Sequence, residues 1–466
     1  MTIEVAAPLV RSSLADSSTR GMIDAMLHRL EMTRPSNLLK QRFYDFDAQI
    51  PKSKVLPAAW QEAKQIVGWP STVVDVLEER LDLLGWRGDD TGHLQALMDD
   101  GLGLEVSLAH LDALIYGISF VAVNPNAADD AEDDLVTAES PLNTTGILDG
   151  RGRRLEAAIM VAERDPTTRA PRAIVWADSS ETGRLRLVAG VWRWEDRRPH
   201  RLGVTPVVQL VNRPRASRLG GRSEISRPIR AYTVQSVQTL AGMSANRDFY
   251  SYPQRWASNA PKDAFTDPDT GEDIPGWVTA MAAMLSMSSP GPGQPETRFG
   301  SFATNPPGPF LDQIEGLAKQ VAGEAAIPPH YLGMLTNNTA SAEAIKNIES
   351  RLVKRTERRQ ATFGRSWNQV GRMVLAARGL SAGVSVVWRA ADTPTVAAET
   401  DAVVKLVQAG VLPAASQVTW DRLRISRADQ AQLRADIAAD AGPVGVLASA
   451  LGRQLDEGRA GHEDQG

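Results

Sequence analysis

The chain has 466 residues, a net charge of −5 and no cysteine. Its length exceeds the ~250–300 residues at which a single hydrophobic core stops growing, so we expect two or more domains. The lack of cysteine excludes disulfides and thiolate metal sites. The acidic balance excludes a protein that binds nucleic acid through its overall charge, so any contact with DNA must be local.

Membrane and export segments are not predicted. No apolar run approaches the ~20 residues that a membrane-spanning helix needs. The N-terminal stretch MTIEVAAPLVRSSLADSSTR lacks the basic region and apolar core of a secretory signal. We therefore expect a protein that is made and used in the cytoplasm without membrane contact.

The first elements are helical. Residues 1–18 are predicted to form a loose arm, and a helical pattern begins near Thr19 and is interrupted by Pro35. Apolar residues within 73–84 then predict a second helix with one buried face, which Gly85 would end.

The middle of the N-terminal half changes to strands. Residues 104–123 begin as a helix and are predicted to continue as a strand after Gly117, and the acidic run 126–134 is predicted to be a solvated loop. Three alternating stretches within 155–194 predict an antiparallel β unit, and a further strand and loop are expected over 203–215.

Two helices are predicted to flank an insertion. The first covers 223–249, with Ser223 as its N-cap and Pro228 tolerated near its start. Residues 250–309 are rich in proline, glycine and serine and have little core of their own, which is typical of a disordered linker. A shorter helix follows over 310–326.

One helix is unusually long. From Ser341, a plausible N-cap followed by Glu343 in the first turn, no proline occurs before Arg378, which predicts about 57 Å of helix at ~1.5 Å per residue. Gly364 and Gly371 could bend it. Five basic residues recur at helical spacing and form a basic stripe, which by itself predicts a solvated face on a structural helix: Arg351, Lys354, Arg355, Arg358 and Arg359.

The C-terminal part is predicted to contain a strand over 384–390, two or three small helices up to residue 441, and a mobile Gly-rich tail over 442–466.

Catalytic and metal-binding motifs are missing from the sequence. There is no GxxxxGK[ST] phosphate loop and no HExxH, and the six histidines stand far apart. We therefore predict no catalytic residue, no metal, no cofactor and no enzymatic activity.

Several phrases resemble one protein family in the same order along the chain. The phrase YLGMLTNNTASAEAIKNIESRLVKRTERRQATFG (331–364) resembles the tunnel loop and long helix of tailed-phage portal proteins, of the type found in long-tailed phages of actinobacteria. Three other stretches support this resemblance: SNLLKQRFYDFDAQIP, LEVSLAHLDALIYGISFVAV and GVTPVVQLVNRPR. Together they cover roughly residues 20–440.

The resemblance implies an α+β portal fold with an antiparallel β wing, a helical stem, a clip insertion, a long spine helix and a small helical crown. The implied segments are an N-terminal arm and wing (1–222), the first stem helix (223–249), the clip (250–309), the second stem helix (310–326), the tunnel loop (327–340), the spine helix and wing strand (341–392), the crown (393–441) and a flexible tail (442–466).

The resemblance also implies functional residues. The uncharged tunnel-loop residues would face DNA in the channel: Thr336, Asn337, Asn338 and Thr339. Clip residues would dock partners: Arg255, Trp256, Trp277, Arg298 and Phe299. For the basic stripe we favour contacts with a neighbouring subunit over contacts with DNA.

The implied function is that of a ring-shaped channel at a capsid vertex, through which DNA is packaged and ejected. The implied partners are further copies of the chain in a dodecamer, non-specifically bound double-stranded DNA, the terminase large subunit, the major capsid and scaffold proteins, and a head-completion adaptor. The implied location is the virion, after assembly in the host cytoplasm. The alternative is a structural head or adaptor protein that forms no channel.

Overall fold

The computed structural model describes residues 14–50, 67–89, 91–125, 136–151, 154–250, 255–259, 270–272, 298–301, 305–334, 342–381, 383–392, 396–423, 425 and 427–440. The chain divides into two compact units, Met1–Ala391 and Asp392–Gly466, which are described separately. The acidic run 126–134, the residues 336–339 and the tail 442–466 lie outside the described residues.

The first unit mixes helices with antiparallel strands. In chain order its elements are α1 (Ser17–Tyr44), α2 (Trp69–Glu78), β1 (Leu83–Gly88), α3 (Gly92–Leu97), a π-helical turn (Met98–Leu102), α4 (Gly103–Tyr116), β2 (Ile118–Val123), β3 (Val136–Glu139), β4 (Thr144–Leu148), β5 (Leu155–Arg164), β6 (Pro171–Asp178), β7 (Glu181–Val188), β8 (Val191–Pro199), β9 (Val207–Val211), α5 (Arg227–Tyr250), β10 (Arg255–Ser258), β11 (Arg298–Ser301), α6 (Gly308–Ala325), a 3-10 turn (Pro329–Leu332), α7 (Ala342–Ala377) and β12 (Val384–Trp388).

Helix α1 is longer than predicted. It begins after Asp16, whose side chain accepts the backbone N–H of Thr19 at 2.7 Å, and it continues through Pro35. A proline inside a helix costs about 3 kcal/mol, but buried residues on both sides of it hold the helix in place: Ile23, Met26, Leu30 and Phe43. The predicted arm is also shorter, because the backbone N–H of Ala15 bonds the carbonyl of Trp192.

The predicted antiparallel β unit is present as a five-stranded sheet in the order β4-β5-β6-β7-β8. Its strands follow one another directly along the chain, as expected for strands joined by short turns. One face packs on α1 in a hydrophobic cluster that includes Trp176, Trp192 and Trp194. This sheet is therefore a local structure that the alternating sequence pattern was able to predict.

A second sheet has the order β3-β2-β9, and β2 is its central strand. The predicted change from helix to strand occurs at Gly117, which has a φ of +99° between α4 and β2. Because β9 pairs with β2 antiparallel, the residues after Val211 begin beside Gly117.

Helices α5 and α6 pack against each other on either side of the insertion. Their bounds agree with the predicted stem helices, except that α5 begins at Arg227 rather than after Ser223. Within the insertion, the structure describes a two-stranded antiparallel ladder between β10 and β11. Residues near the two ends of the insertion are therefore paired with each other.

The predicted long helix is present as α7, a continuous helix of 36 residues. Its C-terminal half packs on a two-stranded antiparallel sheet formed by β1 and β12. The prediction of one helix over 73–84 is wrong at its end, because α2 ends at Glu78 and Gly85 lies inside β1. The partner strand β12 is distant in sequence, so local periodicity could not indicate this pairing.

Two tryptophans fix the sheet onto the long helix. The indole N–H of Trp86 donates to the backbone carbonyl of Trp367 at 3.1 Å, and the two rings meet edge to face. Gly371 permits this approach, because a Cβ atom there would lie 2.8 Å from Trp86 Nε1. Neither Gly364 nor Gly371 interrupts the helix, and both provide room for side chains of the sheet.

His110 is part of the same core and not of a metal site. It stacks on Phe363 at a centroid distance of 5.2 Å and accepts the indole N–H of Trp367 at 2.8 Å. Burial lowers the pKa of His110 to about 3, although a backbone hydrogen bond with Leu81 acts in the opposite direction. The ring is therefore neutral at physiological pH, and its role is structural.

The described residues of the second unit form three small helices, α8 (Val396–Gln408), α9 (Gln417–Arg422) and α10 (Arg427–Asp440), in agreement with the two or three small helices predicted there. Ser416 caps α9, and the buried Gln430 donates to Asp421 at 3.2 Å and so links α9 with α10. Across the described residues, no helix is both long and apolar enough to cross a membrane.

The packing at Gly371 generates a stability prediction. A glycine-to-alanine change inside a helix normally stabilises it by up to about 1 kcal/mol. We expect Gly371→Ala instead to destabilise the protein by about 1–3 kcal/mol, because the added methyl group displaces the buried Trp86 ring. Urea unfolding measures the difference.

The matched control is Gly323→Ala in α6, where a Cβ atom meets nothing within 4 Å and the change should be neutral or stabilising. Equal effects of the two substitutions would contradict the proposed contact.

Candidate functional site: a buried carboxylate beneath an arginine basin

Of the predicted tunnel loop (327–340), the structure describes residues 327–334, and Thr336, Asn337, Asn338 and Thr339 lie outside the described residues. The hydroxyl of Tyr331 donates to Glu349 of α7 at 3.1 Å. Arg80, two residues after the end of α2, donates to the same hydroxyl at 3.1 Å and lies 3.5 Å from the Glu349 carboxylate. These contacts join the 3-10 turn Pro329–Leu332 to α7.

The predicted clip residues are only partly described. The backbones of Trp256 and Phe299 belong to the β10–β11 ladder, in which Trp256 is opposite Gly300 and Phe299 opposite Ala257. Arg255 pairs with Ser301 in the same ladder, and Arg298 is exposed at its other end. Trp277 lies outside the described residues.

The basic stripe does not have a single role. Lys354 is exposed and pairs with Glu357 one helical turn away, at 2.7 Å. Arg355 and Arg359 turn inward instead and contact the carboxylate of Glu224 within the same chain. Arg355 and Arg359 therefore have a carboxylate partner buried in their own subunit, and the predicted contact of the stripe with a neighbouring subunit stays a prediction. Arg351 and Arg358 remain exposed.

Glu224 is almost fully buried and receives several donors. Arg355 Nη2 approaches one carboxylate oxygen and Arg359 Nη2 the other, each at 2.5 Å. The amide of Asn212 donates to Glu224 at 3.0 Å, and Arg213 lies 3.7 Å away. A charge-assisted contact of this kind is strong, because two guanidinium groups share one desolvated carboxylate.

These donors determine the charge state of Glu224. Burial alone would raise the pKa of its carboxyl group, but Arg359, Arg355 and the hydrogen bond from Asn212 together outweigh burial. The pKa of Glu224 therefore lies below its ordinary value, and the group is ionised at neutral pH.

The segment before α5 is shaped to bring Glu224 into this position. Gly221 has a φ of +70°, and a Cβ atom there would lie only 2.2 Å from the carbonyl oxygen of Gly117. The backbone N–H of Glu224 then donates to Leu114 at 2.9 Å, and the Ser223 hydroxyl donates to the carbonyl of Ile115. Ser223 is therefore not the predicted N-cap of α5, because its hydroxyl anchors the segment to α4.

Above the buried carboxylate lies a concave basin of about 900 Å³. Its walls are the loop 213–222, the end of α6 and the outward side of α7. Eight arginines line it: Arg213, Arg215, Arg218, Arg222, Arg351, Arg355, Arg358 and Arg359. Among the residues that line the basin, Glu324 is the one carboxylate, and it contacts Arg222 at 3.4 Å.

The basin keeps a strong positive potential. Burial, together with the neighbouring charges of Arg359, Arg213 and Arg351, lowers the pKa of Arg355 to about 10, although Glu224 acts in the opposite direction. Even so, Arg355 stays protonated at neutral pH. The site is therefore built to receive anions and not to perform acid–base chemistry near pH 7.

The sequence pattern of the family described as "Phage portal protein, SPP1 Gp6-like" matches residues 105–441. The portal protein of Mycobacterium phage D29 is 32% identical over 379 residues, which cover 77% of this chain and 76% of that protein. The portal protein of Mycobacterium phage L5 is 31% identical over the same shares.

The chain belongs to the SPP1 Gp6-like family of phage portal proteins.

Two solved structures also align with this portal chain. One, from the neck of a native GTA particle computed with C12 symmetry, has a TM-score of 0.39 and 12% identity, and covers 83% of this chain and 98% of that one. The other is from the neck of an empty GTA particle computed with C6 symmetry. It has a TM-score of 0.35 and 14% identity, and the match covers 91% of this chain and 97% of that one. At TM-scores below 0.5 they carry no argument about this chain.

Family membership confirms the predicted resemblance to tailed-phage portal proteins. Because members of this family are structural components of the phage head, the prediction that the chain is not an enzyme is confirmed as well.

The sequence analysis missed the residues at the centre of this site. Nothing in local periodicity marks Glu224 as the partner of Arg355 and Arg359 in α7, or Asn212 as a further donor to Glu224. One signal was available for the basin, namely the four arginines within RPRASRLGGR (213–222).

The buried carboxylate generates a stability prediction with a defined pH dependence. At pH 7 we expect Glu224→Gln to lower the free energy of unfolding by about 3–5 kcal/mol, because it leaves two desolvated guanidinium groups without a counter-charge. Since the folded-state pKa of Glu224 is lowered, its contribution is complete above the unfolded pKa of about 4.3. The contribution is lost as the pH falls through the lowered folded-state value.

Urea unfolding at pH 7 and at a series of pH values below 4 should therefore show the two proteins converging in acid. Glu357→Gln is the control, because it breaks an exposed pair and should cost about 0–1 kcal/mol. A difference between wild type and Glu224→Gln that does not change with pH would contradict the assignment.

Proposed function

We propose that this portal chain assembles into a closed ring of twelve copies around an axial channel, through which double-stranded DNA is packaged and later ejected. The observation that carries the proposal is the family match over residues 105–441. The order of α5, the insertion, α6, the loop and the long helix α7 also agrees with the stem, clip, tunnel loop and spine that the resemblance implies.

A closed ring beyond a dimer requires a heterologous interface, so each subunit must present two different and complementary faces. The polar surface of α5 and α6 and the β10–β11 ladder are surfaces that such an arrangement would use. An insertion that is rich in proline, glycine and serine and has little core of its own would gain order from its neighbours in this arrangement.

The loop over Thr336–Thr339 is the proposed contact with DNA. Asparagine and threonine exchange hydrogen bonds with phosphates without adding the salt-dependent attraction that each lysine would contribute. The Tyr331–Glu349–Arg80 contact supports this proposal, because it joins the turn that precedes these residues to the helix that follows them. A neutral loop on a rigid base would permit DNA to slide.

The clip is the proposed docking surface for the terminase large subunit and, after packaging, for a head-completion adaptor. Aromatic and arginine residues are enriched at protein interfaces, which supports the selection of Arg255, Trp256, Trp277, Arg298 and Phe299. The proposed location is the portal vertex of the virion, in contact with the major capsid and scaffold proteins, after assembly in the host cytoplasm.

The ring is tested directly by the mass and symmetry of the purified protein. We expect native mass spectrometry and negative-stain class averages to show closed rings of about twelve subunits with a central hole, as a heterologous interface requires. A dimer with a large, well-packed interface would contradict the proposal and favour a structural head or adaptor protein without a channel.

The tunnel loop is tested by changing its charge. We expect Asn337→Lys with Asn338→Lys to slow or block packaging, because each added cation holds a phosphate that must be released for the DNA to advance. DNA packaged per capsid, measured over a range of salt concentrations, reports the effect.

The paired control, Asn337→Gln with Asn338→Gln, keeps the loop uncharged and should package normally. Normal packaging by the lysine variant at low salt would count against the proposed low-friction contact.

A further inference from the structure

The arginine basin contains more positive charge than this subunit neutralises. The carboxylate of Glu224 forms ion pairs with Arg355 and Arg359, and the carboxylate of Glu324 forms one with Arg222. Within the described part of the chain, no carboxylate forms an ion pair with the remaining exposed arginines: Arg215, Arg218, Arg351 and Arg358. Like-charged groups this close repel one another, so the basin as it stands is electrostatically incomplete.

Buried donors in the basin also lack acceptors. Arg359 is 5% exposed, yet its Nε atom has no hydrogen-bond partner among the described residues. The same holds for Nη1 of Arg355. An unsatisfied buried donor costs free energy, so a nearby anion would gain hydrogen bonds that are already desolvated and oriented.

We propose that the arginine basin is a socket that receives carboxylate side chains of a second copy of this chain. This inference rests on the ring proposed above and specifies one of its two complementary faces. Guanidinium groups fixed on a loop and a helix suit carboxylates, because each can donate two parallel hydrogen bonds to one acidic side chain.

The net charge of the rest of the chain is opposite in sign to that of the basin. The whole chain has a net charge of −5, whereas the eight basin arginines with Glu224 and Glu324 amount to +6. The rest of each subunit therefore carries a net charge of −11, and an acidic surface on one copy is electrostatically complementary to the basin of the next.

The shape of the basin favours a protein partner over a DNA duplex. A volume of about 900 Å³ enclosed by a loop and two helices is in the range of pockets that hold small groups. Duplex DNA presents its phosphates on a wide convex surface and is bound mainly by exposed charges that approach it. Protruding acidic side chains could enter the basin, whereas a duplex would contact only its rim.

The test uses charge reversal at the rim of the basin in the full-length protein. Arg351→Glu with Arg358→Glu changes two exposed residues of α7, and the control Arg365→Glu with Arg372→Glu changes two exposed residues further along the same helix, outside the basin. Arg215→Glu with Arg218→Glu repeats the test from the opposite wall. Thermal unfolding should be the same for all variants and wild type.

Sedimentation equilibrium measures self-association, and fluorescence anisotropy with a 20-base-pair duplex measures DNA binding. We expect both basin variants to self-associate at least tenfold more weakly than wild type and the control variant to be unchanged. Self-association that persists in the basin variants would overturn the socket, and weaker duplex binding in those variants would assign the basin to DNA.

Self-association of the wild-type protein distinguishes a failure of the socket from a failure of the ring. If it forms rings and the basin variants do so equally well, only the socket is wrong. If it shows no self-association at any accessible concentration, the ring and the socket are both overturned.

Discussion

The contact of Glu224 with Arg355 and Arg359 joins two parts of the chain that are far apart in sequence. It ties the segment that precedes α5 to the middle of α7. Burying these three charges is expensive, so the contact adds little net stability compared with an apolar core, whereas losing one partner would be costly. Its main effect is to permit one relative position of the two helices and to reject others.

The spine helix is held at three successive places along its length. Near its start, Glu349 contacts Tyr331 and Arg80; in the middle, the two inward arginines bind Glu224; and over its C-terminal half the β1–β12 sheet packs on Gly371. A helix of 36 residues is about 54 Å long. Anchoring at these intervals makes it a rigid support on which a loop at one end can be positioned relative to the rest of the fold.

Sequence patterns predicted what depends on neighbours along the chain. The long helix, the alternating strands within 155–194 and the change at Gly117 all follow from local periodicity and backbone preference. The pairing of β1 with β12 and the partners of Glu224 could not be predicted in this way. Periodicity shows which positions of a helix are polar, but it cannot show that two arginines of a basic stripe turn inward to a carboxylate 131 and 135 residues away.

A DNA conduit limits where a portal subunit can place its arginines. For each phosphate that a protein cation neutralises, the slope of log K against the logarithm of the salt concentration becomes steeper by about 0.9. All such contacts must break for the DNA to advance. If every subunit directed its eight basin arginines at the DNA, these contacts would therefore oppose the movement of the DNA. Guanidinium groups can instead pair with carboxylates, within the subunit through Glu224 and between subunits through the proposed socket. Such pairs would stabilise the ring without binding the DNA. The acidic balance of the whole chain agrees with this division.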